Sequence, residues 1–290
     1  MQGLEATLAR HSAEEMVAAL GLGAAPEIVR AVARVGFGFA SAPLGRILAR
    51  FDSRIAQSGV ARAAAAALYD LGIHWECDGA PPSAGASLVV SNHPGAYDAL
   101  ILLAAVGRND AAILAADRSF LRALPGLAAH LILVREQADT ASRALGMRRA
   151  LRHLAAGGVL IHFGAGRIEV DPAFQGNDAR AFLGSWPSGT GALVRGAARA
   201  QGVVAAAVVE GVHSERAKRL LVTKLAERRG VTTLAPLLQV ALPSYRDVHA
   251  RVRFSDVVEA LPLAVGSSDE QTTTRVRSMA LSLLGQRPRG

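Results

Sequence analysis

The residues best suited to chemistry stand together in one stretch, Leu88-Val89-Val90-Ser91-Asn92-His93-Pro94-Gly95-Ala96-Tyr97-Asp98-Ala99-Leu100. An imidazole and a carboxylate five positions apart would lie about 140° apart around a continuous helix and could not meet. They meet if an apolar strand ends at His93, Pro94 and Gly95 turn the chain, and a helix opens near Asp98. The carboxylate then accepts from one ring nitrogen and sets the tautomer, which leaves the other nitrogen to act as a general base. The positive field at a helix N-terminus favours a carboxylate there. Taken alone, such a pair is more often structural than catalytic.

A second turn, Gly164-Ala165-Gly166-Arg167, follows the apolar run at residues 159–163. Glycine permits close backbone approach, so the N–H groups of this turn are candidates to hold an oxyanion. A tight turn that binds nothing is the equal alternative. Arg135 and Arg167 are candidates for a phosphate, because guanidinium pairs with phosphate through two hydrogen bonds; a solvated surface charge is the other reading of each. His162 reads as a hydrogen-bonded core residue. The remaining histidines show no paired spacing and Cys77 is the only cysteine, so neither a metal site nor a disulfide framework is expected. The chain has no Gly-x-Ser-x-Gly elbow, Walker loop or post-strand Gly-x-Gly-x-x-Gly fingerprint, and no cofactor is expected.

These groups need a scaffold, and the pattern around them supplies one. Apolar runs at residues 87–90, 113–115, 131–134, 159–163, 203–209 and 248–254 are short enough for buried strands. Helix-like segments at 99–106, 119–124, 140–154 and 188–200 alternate with them. A last helix starts at the capping box Ser267-Ser268-Asp269-Glu270 and ends before Gly285. The alternation predicts an α/β fold, a mixed, largely parallel sheet flanked by helices, with ligands beyond the carboxyl ends of the strands. Upstream, Ser12-Ala13-Glu14-Glu15 reads as a capping box opening a short helix and Pro26-Glu27 as the first turn of another. Gly45 and Gly59 leave the later helix breaks open. Turn-forming residues at 78–85 mark a change of pattern, giving an N-terminal helical region at 1–72 and a catalytic domain at 73–290.

Asn92-His93 followed by Asp98 at a strand-to-helix junction resembles the His-x4-Asp signature of the glycerolipid acyltransferase superfamily, of the lysophosphatidic acid acyltransferase type. Four later segments resemble that family's further blocks in order and spacing. They are Asp117-Arg118-Ser119-Phe120-Leu121 with Pro125-Gly126; Leu131-Ile132-Leu133-Val134-Arg135; Ile161-His162-Phe163-Gly164-Ala165-Gly166-Arg167; and residues 203–208. The likeness spans about residues 74–260, and only its first block is highly specific. It implies direct transfer of an acyl group from acyl-coenzyme A or acyl carrier protein to the hydroxyl of a lyso-lipid. His93 would be the base and Asp98 its orienting partner, with Asn92, Gly95, Arg135, Gly164, Gly166 and Arg167 around the substrates. Where the family's third block has Pro-Glu, this chain has Gly164-Ala165, so a carboxylate that helps to hold a glycerol-phosphate acceptor is missing there. Either Glu169 or Asp171 reaches the same space from further along, or the acceptor is a different lyso-lipid or an amine. The proline customary in the fourth block is also absent.

Composition bounds the partners. The 290 residues are 51% hydrophobic and 19% charged, enough apolar material for one large domain and too little charge for a disordered chain. A net charge of +8 favours anionic partners: phospholipid head groups, acidic carrier proteins, phosphorylated substrates or nucleic acid. Aromatic residues are only 4%, and no basic helix carries base-stacking side chains, which argues against nucleic acid. Residues 28–69 carry Arg30, Arg34, Arg46, Arg50, Arg54 and Arg62 against the lone acid at Asp52 within 28–62, mixed with apolar side chains. Such a segment either lies on an anionic membrane or packs on the main domain with its arginines solvated. No apolar stretch reaches the roughly 20 residues of a spanning helix, and residues 1–5 do not resemble a secretory leader. The expected place is cytoplasmic, peripheral on the inner face of the cell membrane. A catalytically silent, lipid-binding member of the same fold is the alternative to an enzyme.

Overall fold

The central apolar runs are continuous because they are covered on both sides, as parallel strands are. The computed structural model describes residues 2–19, 27–135, 140–174, 183–228 and 234–284. Three helices come first: α1 (Gln2–Ala19), α2 (Glu27–Ser58) and α3 (Val60–Leu71). They are followed by β1 (His74–Asp78), β2 (Ser87–Ser91), α4 (Asp98–Val106), β3 (Ala111–Ala116), α5 (Ser119–Arg122), α6 (Pro125–Ala128) and β4 (Leu131–Val134). Next come α7 (Thr140–Ala155), β5 (Val159–Phe163), α8 (Gly189–Arg199), β6 (Val203–Glu210), α9 (Glu215–Arg219), α10 (Leu221–Arg228) and α11 (Leu234–Ala241). The chain closes with β7 (His249–Phe254), β8 (Val258–Glu259), α12 (Ala260–Ala264) and α13 (Asp269–Leu284).

The strands form one mixed, largely parallel sheet in the order β1-β7-β6-β2-β5-β3-β4, with β8 paired to β6. β6 to β2, β2 to β5, β5 to β3 and β3 to β4 are parallel, whereas β7 runs antiparallel to β6 and β1 runs parallel to β7. Alternate residues of each strand face opposite helical layers. Val89, Ile161, Ala207 and Val209 join one apolar cluster; Leu88, Val90, Leu160, Val204, Ala206 and Val208 join the other.

The N-terminal helices belong to the first cluster. Leu8, Leu44, Phe51 and Ile55 are buried in it together with Ile101 and Ile161, so the change of pattern at residue 72 is a change of secondary structure within a shared core. Gly45 lies inside α2, where a Cβ would come 2.8 Å from the Glu5 carbonyl of α1; the missing side chain lets the two helices close on each other. Gly59, at φ 82°, separates α2 from α3. The stretch at residues 12–15 does not open a helix: α1 runs through it unbroken. Asp52 is buried, and its Oδ1 accepts from the Leu127 N–H at 2.9 Å, in the first turn of α6. Arg54 is paired with Asp70 at 2.7 Å. The side chains of Arg30 and Arg34 lie outside the described residues. No helix among the described residues is long and apolar enough to cross a membrane.

The pattern at residues 74–78 did not predict β1. Its sequence, His-Trp-Glu-Cys-Asp, is polar because the strand is an exposed edge paired on one side only, with β7.

Candidate active site

β2 and β5 end level, Ser91 opposite Phe163, so the chain leaving each strand emerges side by side at the carboxyl edge of the sheet. Asn92 continues the ladder with its side chain: Nδ2 donates to the Val209 carbonyl at 2.8 Å, and Oδ1 accepts from the Val209 N–H at 2.7 Å. It is wholly buried. Asn92, expected to touch substrate, is instead committed inside the fold, where it fixes the point at which His93 leaves the sheet.

The turn that follows is tight. Gly95 (φ 90°) and Ala96 (φ 57°) both adopt left-handed backbone, and the second is costly for a residue with a Cβ. The reversal starts α4 at Asp98 and brings its carboxylate back to the imidazole: His93 Nδ1 and Asp98 Oδ2 are 2.7 Å apart. Asp98 Oδ2 also accepts from the Gly95 N–H at 2.8 Å and Oδ1 from the Ala99 N–H at 2.7 Å. Gly95 therefore positions the acid rather than a ligand. Asp98 is 2% exposed and the His93 side chain 28%. With Nδ1 donating to Asp98, Nε2 is left without a partner among the described residues.

β5 and the segment beyond it hold the other side of the imidazole. The Phe163 ring stacks on His93 with centroids 4.0 Å apart. Glu169 pairs with the His93 backbone twice: its N–H donates to the His93 carbonyl at 2.7 Å, and Oε2 accepts from the His93 N–H at 3.1 Å. Glu169 Oε1 accepts from the Gly184 N–H at 2.9 Å and the Trp186 indole N–H at 3.3 Å. Arg277 of α13 in turn donates to the Gly184 carbonyl at 2.9 Å. Through these links the C-terminal helix helps to set the position of His93.

Electrostatics follow from this packing. Burial opposes the charged imidazole, but the hydrogen bond and charge of Asp98 and the charge of Glu169 outweigh it, so the His93 pKa is raised above 6.5. Burial raises the Glu169 carboxyl, against the opposing pull of its three N–H donors.

A second histidine stands at the same edge. His213 follows β6, and the Pro94 carbonyl and the Asp98 charge both act on its ring. Its Nδ1 is 3.9 Å from Asp171 Oδ2. That carboxylate is fully buried and accepts from the backbone N–H groups of Ala173, Gly211, Val212 and His213 at 2.8 to 3.1 Å. Burial, the largest influence, lowers the His213 pKa. Spacing does not single out His213 in the sequence; its one local signal is its place just past the apolar run at 203–209.

The remaining expected residues separate. A Cβ on Gly164 would lie 2.3 Å from the Trp186 ring, and the Gly164 N–H donates to the Ser91 carbonyl at 2.8 Å. The Gly166 N–H donates to the Phe163 carbonyl at 3.0 Å. Both glycines shape the turn, and neither amide is free for an oxyanion; the Ala165 and Arg167 N–H groups of this turn have no partner among the described residues. Arg167 is exposed, and its guanidinium lies 3.2 Å from where a Gly184 Cβ would stand, on the segment that backs His93. Arg135 follows β4, three strands from β2, or about 14 Å across the sheet; the dyad and Arg135 are not brought together. His162 Nε2 and Thr190 Oγ1 are 3.2 Å apart, and burial pushes that imidazole down to about 4.

A cavity of about 610 Å³ opens at the ends of β1, β6 and β7, between His74, His249, Glu210 and Arg251; its lining does not include His93 or Asp98. Ile168 and Val170 are exposed apolar residues on the segment beside the dyad, and a Cβ on Gly95 would lie 3.8 Å from Ile168.

No protein-family model matches the chain, and no curated protein matches it in sequence. Among solved structures, it is similar to the crystal structure of the 1-acyl-sn-glycerophosphate (LPA) acyltransferase PlsC from Thermotoga maritima. The two are 17% identical, with a TM-score of 0.47, over 84% of this chain and 80% of that one.

Proposed function

We propose that the protein transfers a fatty acyl group from a thioester, on coenzyme A or acyl carrier protein, to a hydroxyl of a lyso-lipid. The observation that carries this reading is the 2.7 Å contact between His93 Nδ1 and Asp98 Oδ2 at the carboxyl end of β2, with Nε2 uncommitted. Nε2 takes the proton of the acceptor hydroxyl as its oxygen bonds to the thioester carbonyl carbon. Collapse of the tetrahedral intermediate breaks the carbon–sulfur bond, and the imidazolium returns the proton to the departing thiolate. Asp98 keeps the tautomer that makes Nε2 the base and stabilises the imidazolium. The Ala165 N–H is the candidate donor to the oxyanion. Arg167 is the candidate for a phosphate on donor or acceptor, and Ile168 and Val170 offer apolar surface to an acyl chain. Gly164-Ala165 carries no carboxylate, Asp171 is committed to four amides and Glu169 to three N–H donors, so neither later acid is open to take the place of the family's glutamate. The acceptor class is thus open to lyso-lipids other than lysophosphatidic acid, and the protein works from the inner face of the cell membrane.

A catalytically silent lipid-binding protein is the second reading, favoured by the engagement of the Gly164 and Gly166 amides. Incubation of the purified protein with palmitoyl-coenzyme A and a panel of lyso-lipids, read by free thiol and by lipid mass spectrometry, separates the two. Acyl transfer predicts thiol release matched by new diacylated lipid, lost in His93→Ala. Vesicle binding without thiol release, or release undiminished in His93→Ala, defeats the proposal.

A further inference from the structure

We infer that α9 and α10 form the surface on which the protein sits against an anionic lipid bilayer, at the edge of the sheet that carries the candidate active site. The inference deepens the lipid-acceptor reading and rests on it. α10 is built inside out. Leu221, Val222 and Leu225 are 82%, 57% and 46% exposed, and at 100° per residue they share an arc of about 100° on one side of the helix. Thr223 lies on the opposite side, fully buried, and its hydroxyl has no hydrogen-bond partner. In water both choices are unfavourable: three aliphatic side chains remain hydrated while a hydroxyl gives up its water. The arrangement suits a helix whose outer face leaves water.

Charge selects the medium. Lys224 borders the apolar arc of α10, and Arg216, Lys218 and Arg219 lie in the last turn of the adjoining α9, where Glu215 is paired with Arg219. Aliphatic residues bordered by basic ones are the pattern of a helix lying among anionic head groups. Among the described residues of α9 and α10 there is no aromatic side chain of the kind that anchors protein–protein contacts. It is also continuous with the site: Lys218 Nζ lies 3.8 Å over the Phe174 ring, Phe174 stands 6.3 Å from the His213 ring, and the Pro94 carbonyl of the dyad turn acts on His213. A lipid rising from this face meets the edge of the sheet where His93 stands.

Sedimentation of the full chain with vesicles of phosphatidylglycerol and phosphatidylcholine, against phosphatidylcholine alone, tests the surface. Binding should be confined to the anionic vesicles and should weaken from about 0.1 M to about 0.5 M salt, because surface charge attraction is screened. Leu221→Asp with Leu225→Asp should lower the partition coefficient by at least about tenfold, and Arg216→Gln with Lys224→Gln should flatten the salt dependence. Leu145→Asp, at an exposed aliphatic residue of α7 on the other helical layer, should bind like the parent. Thermal melting of each variant confirms that it is folded. Equal binding to both vesicle types, or undiminished binding by the Leu221 and Leu225 pair, overturns the inference. So does loss, in that same pair, of binding to a soluble acidic acyl carrier protein when no variant binds vesicles. Because the readout is binding, its failure is distinct from failure of the reaction: thiol release without vesicle binding sinks the surface alone.

Discussion

The carboxyl edge of the sheet carries two histidine–aspartate pairs, and a comparison of them shows what separates a hydrogen-bonded imidazole from one that is only packed beside its acid. In the first, Asp98 accepts two backbone N–H groups and keeps a position for the His93 ring at 2.7 Å. In the second, Asp171 is surrounded by four backbone N–H groups, and the His213 ring stays 3.9 Å away. The pKa directions follow: up for His93, where the partner's hydrogen bond outweighs burial, and down for His213, where burial wins. Both carboxylates are equally buried. What differs is how many local amides compete for their lone pairs, and therefore whether the imidazole is held by a hydrogen bond or merely packed.

The strongest test of that contrast exchanges each acid in turn. Asp98→Asn should reduce acyl transfer by about 10²–10⁴-fold, by disturbing the tautomer and the general base, with little change in melting temperature. Asp171→Ala should do the reverse, lowering stability by about 3 kcal/mol or more as buried N–H donors lose their acceptor. Denaturant unfolding alongside thiol-release kinetics reads both, and a catalytic loss in Asp171→Ala without loss of stability would erase the distinction.

Next in size is the turn behind the dyad. Gly164→Ala puts a methyl group into the Trp186 ring and should cost about 1–3 kcal/mol. Turnover should fall with it, because Trp186 and Gly184 hold Glu169 against the His93 backbone. A Gly164→Ala protein with unchanged melting temperature would count against this chain of contacts.

The pH dependence follows from the raised His93 pKa. The proposed base must be neutral, so kcat/KM should rise with pH through a midpoint above 6.5. Any stability the charged ring contributes is fully present below the unfolded value near 6.5 and is lost as pH rises through the folded one. Asp98→Asn should move the kinetic midpoint down, and His213→Gln should leave it in place; a midpoint that follows His213 would reverse the assignment of the two pairs.

The smallest effect belongs to Ala96, held at φ 57° in the dyad turn. Ala96→Gly relieves the left-handed cost while adding freedom to the unfolded chain, so stability should change by less than about 1 kcal/mol. A loss of several kcal/mol would show that the methyl group is needed for packing.

The dyad was legible because it is a local device. An apolar strand, a Pro-Gly reversal and a helix start at Asp98 are encoded within about a dozen consecutive residues, and hydrophobic periodicity with turn chemistry is a local signal. The main strands and the C-terminal helix were readable for the same reason, whereas the edge strand β1 was not, since a strand exposed on one side need not be apolar. Asn92, Gly95, Gly164 and Gly166 were found by their place in the motif, but their roles were not: each serves the scaffold through a contact the motif does not state.

The amino-acid order by itself determined the alternation of strands and helices, the His93–Asp98 spacing and the basic character of the chain. Tertiary structure decided which polar groups are consumed within the fold and which face outward. Asn92 meets Val209, Asp52 meets Leu127, and Asp171 meets the amides of residues 211–213 only when distant segments are brought together by packing of the two apolar clusters. A carboxylate or amide has a few hydrogen-bonding positions, and whether they are filled depends on neighbours in space rather than along the chain.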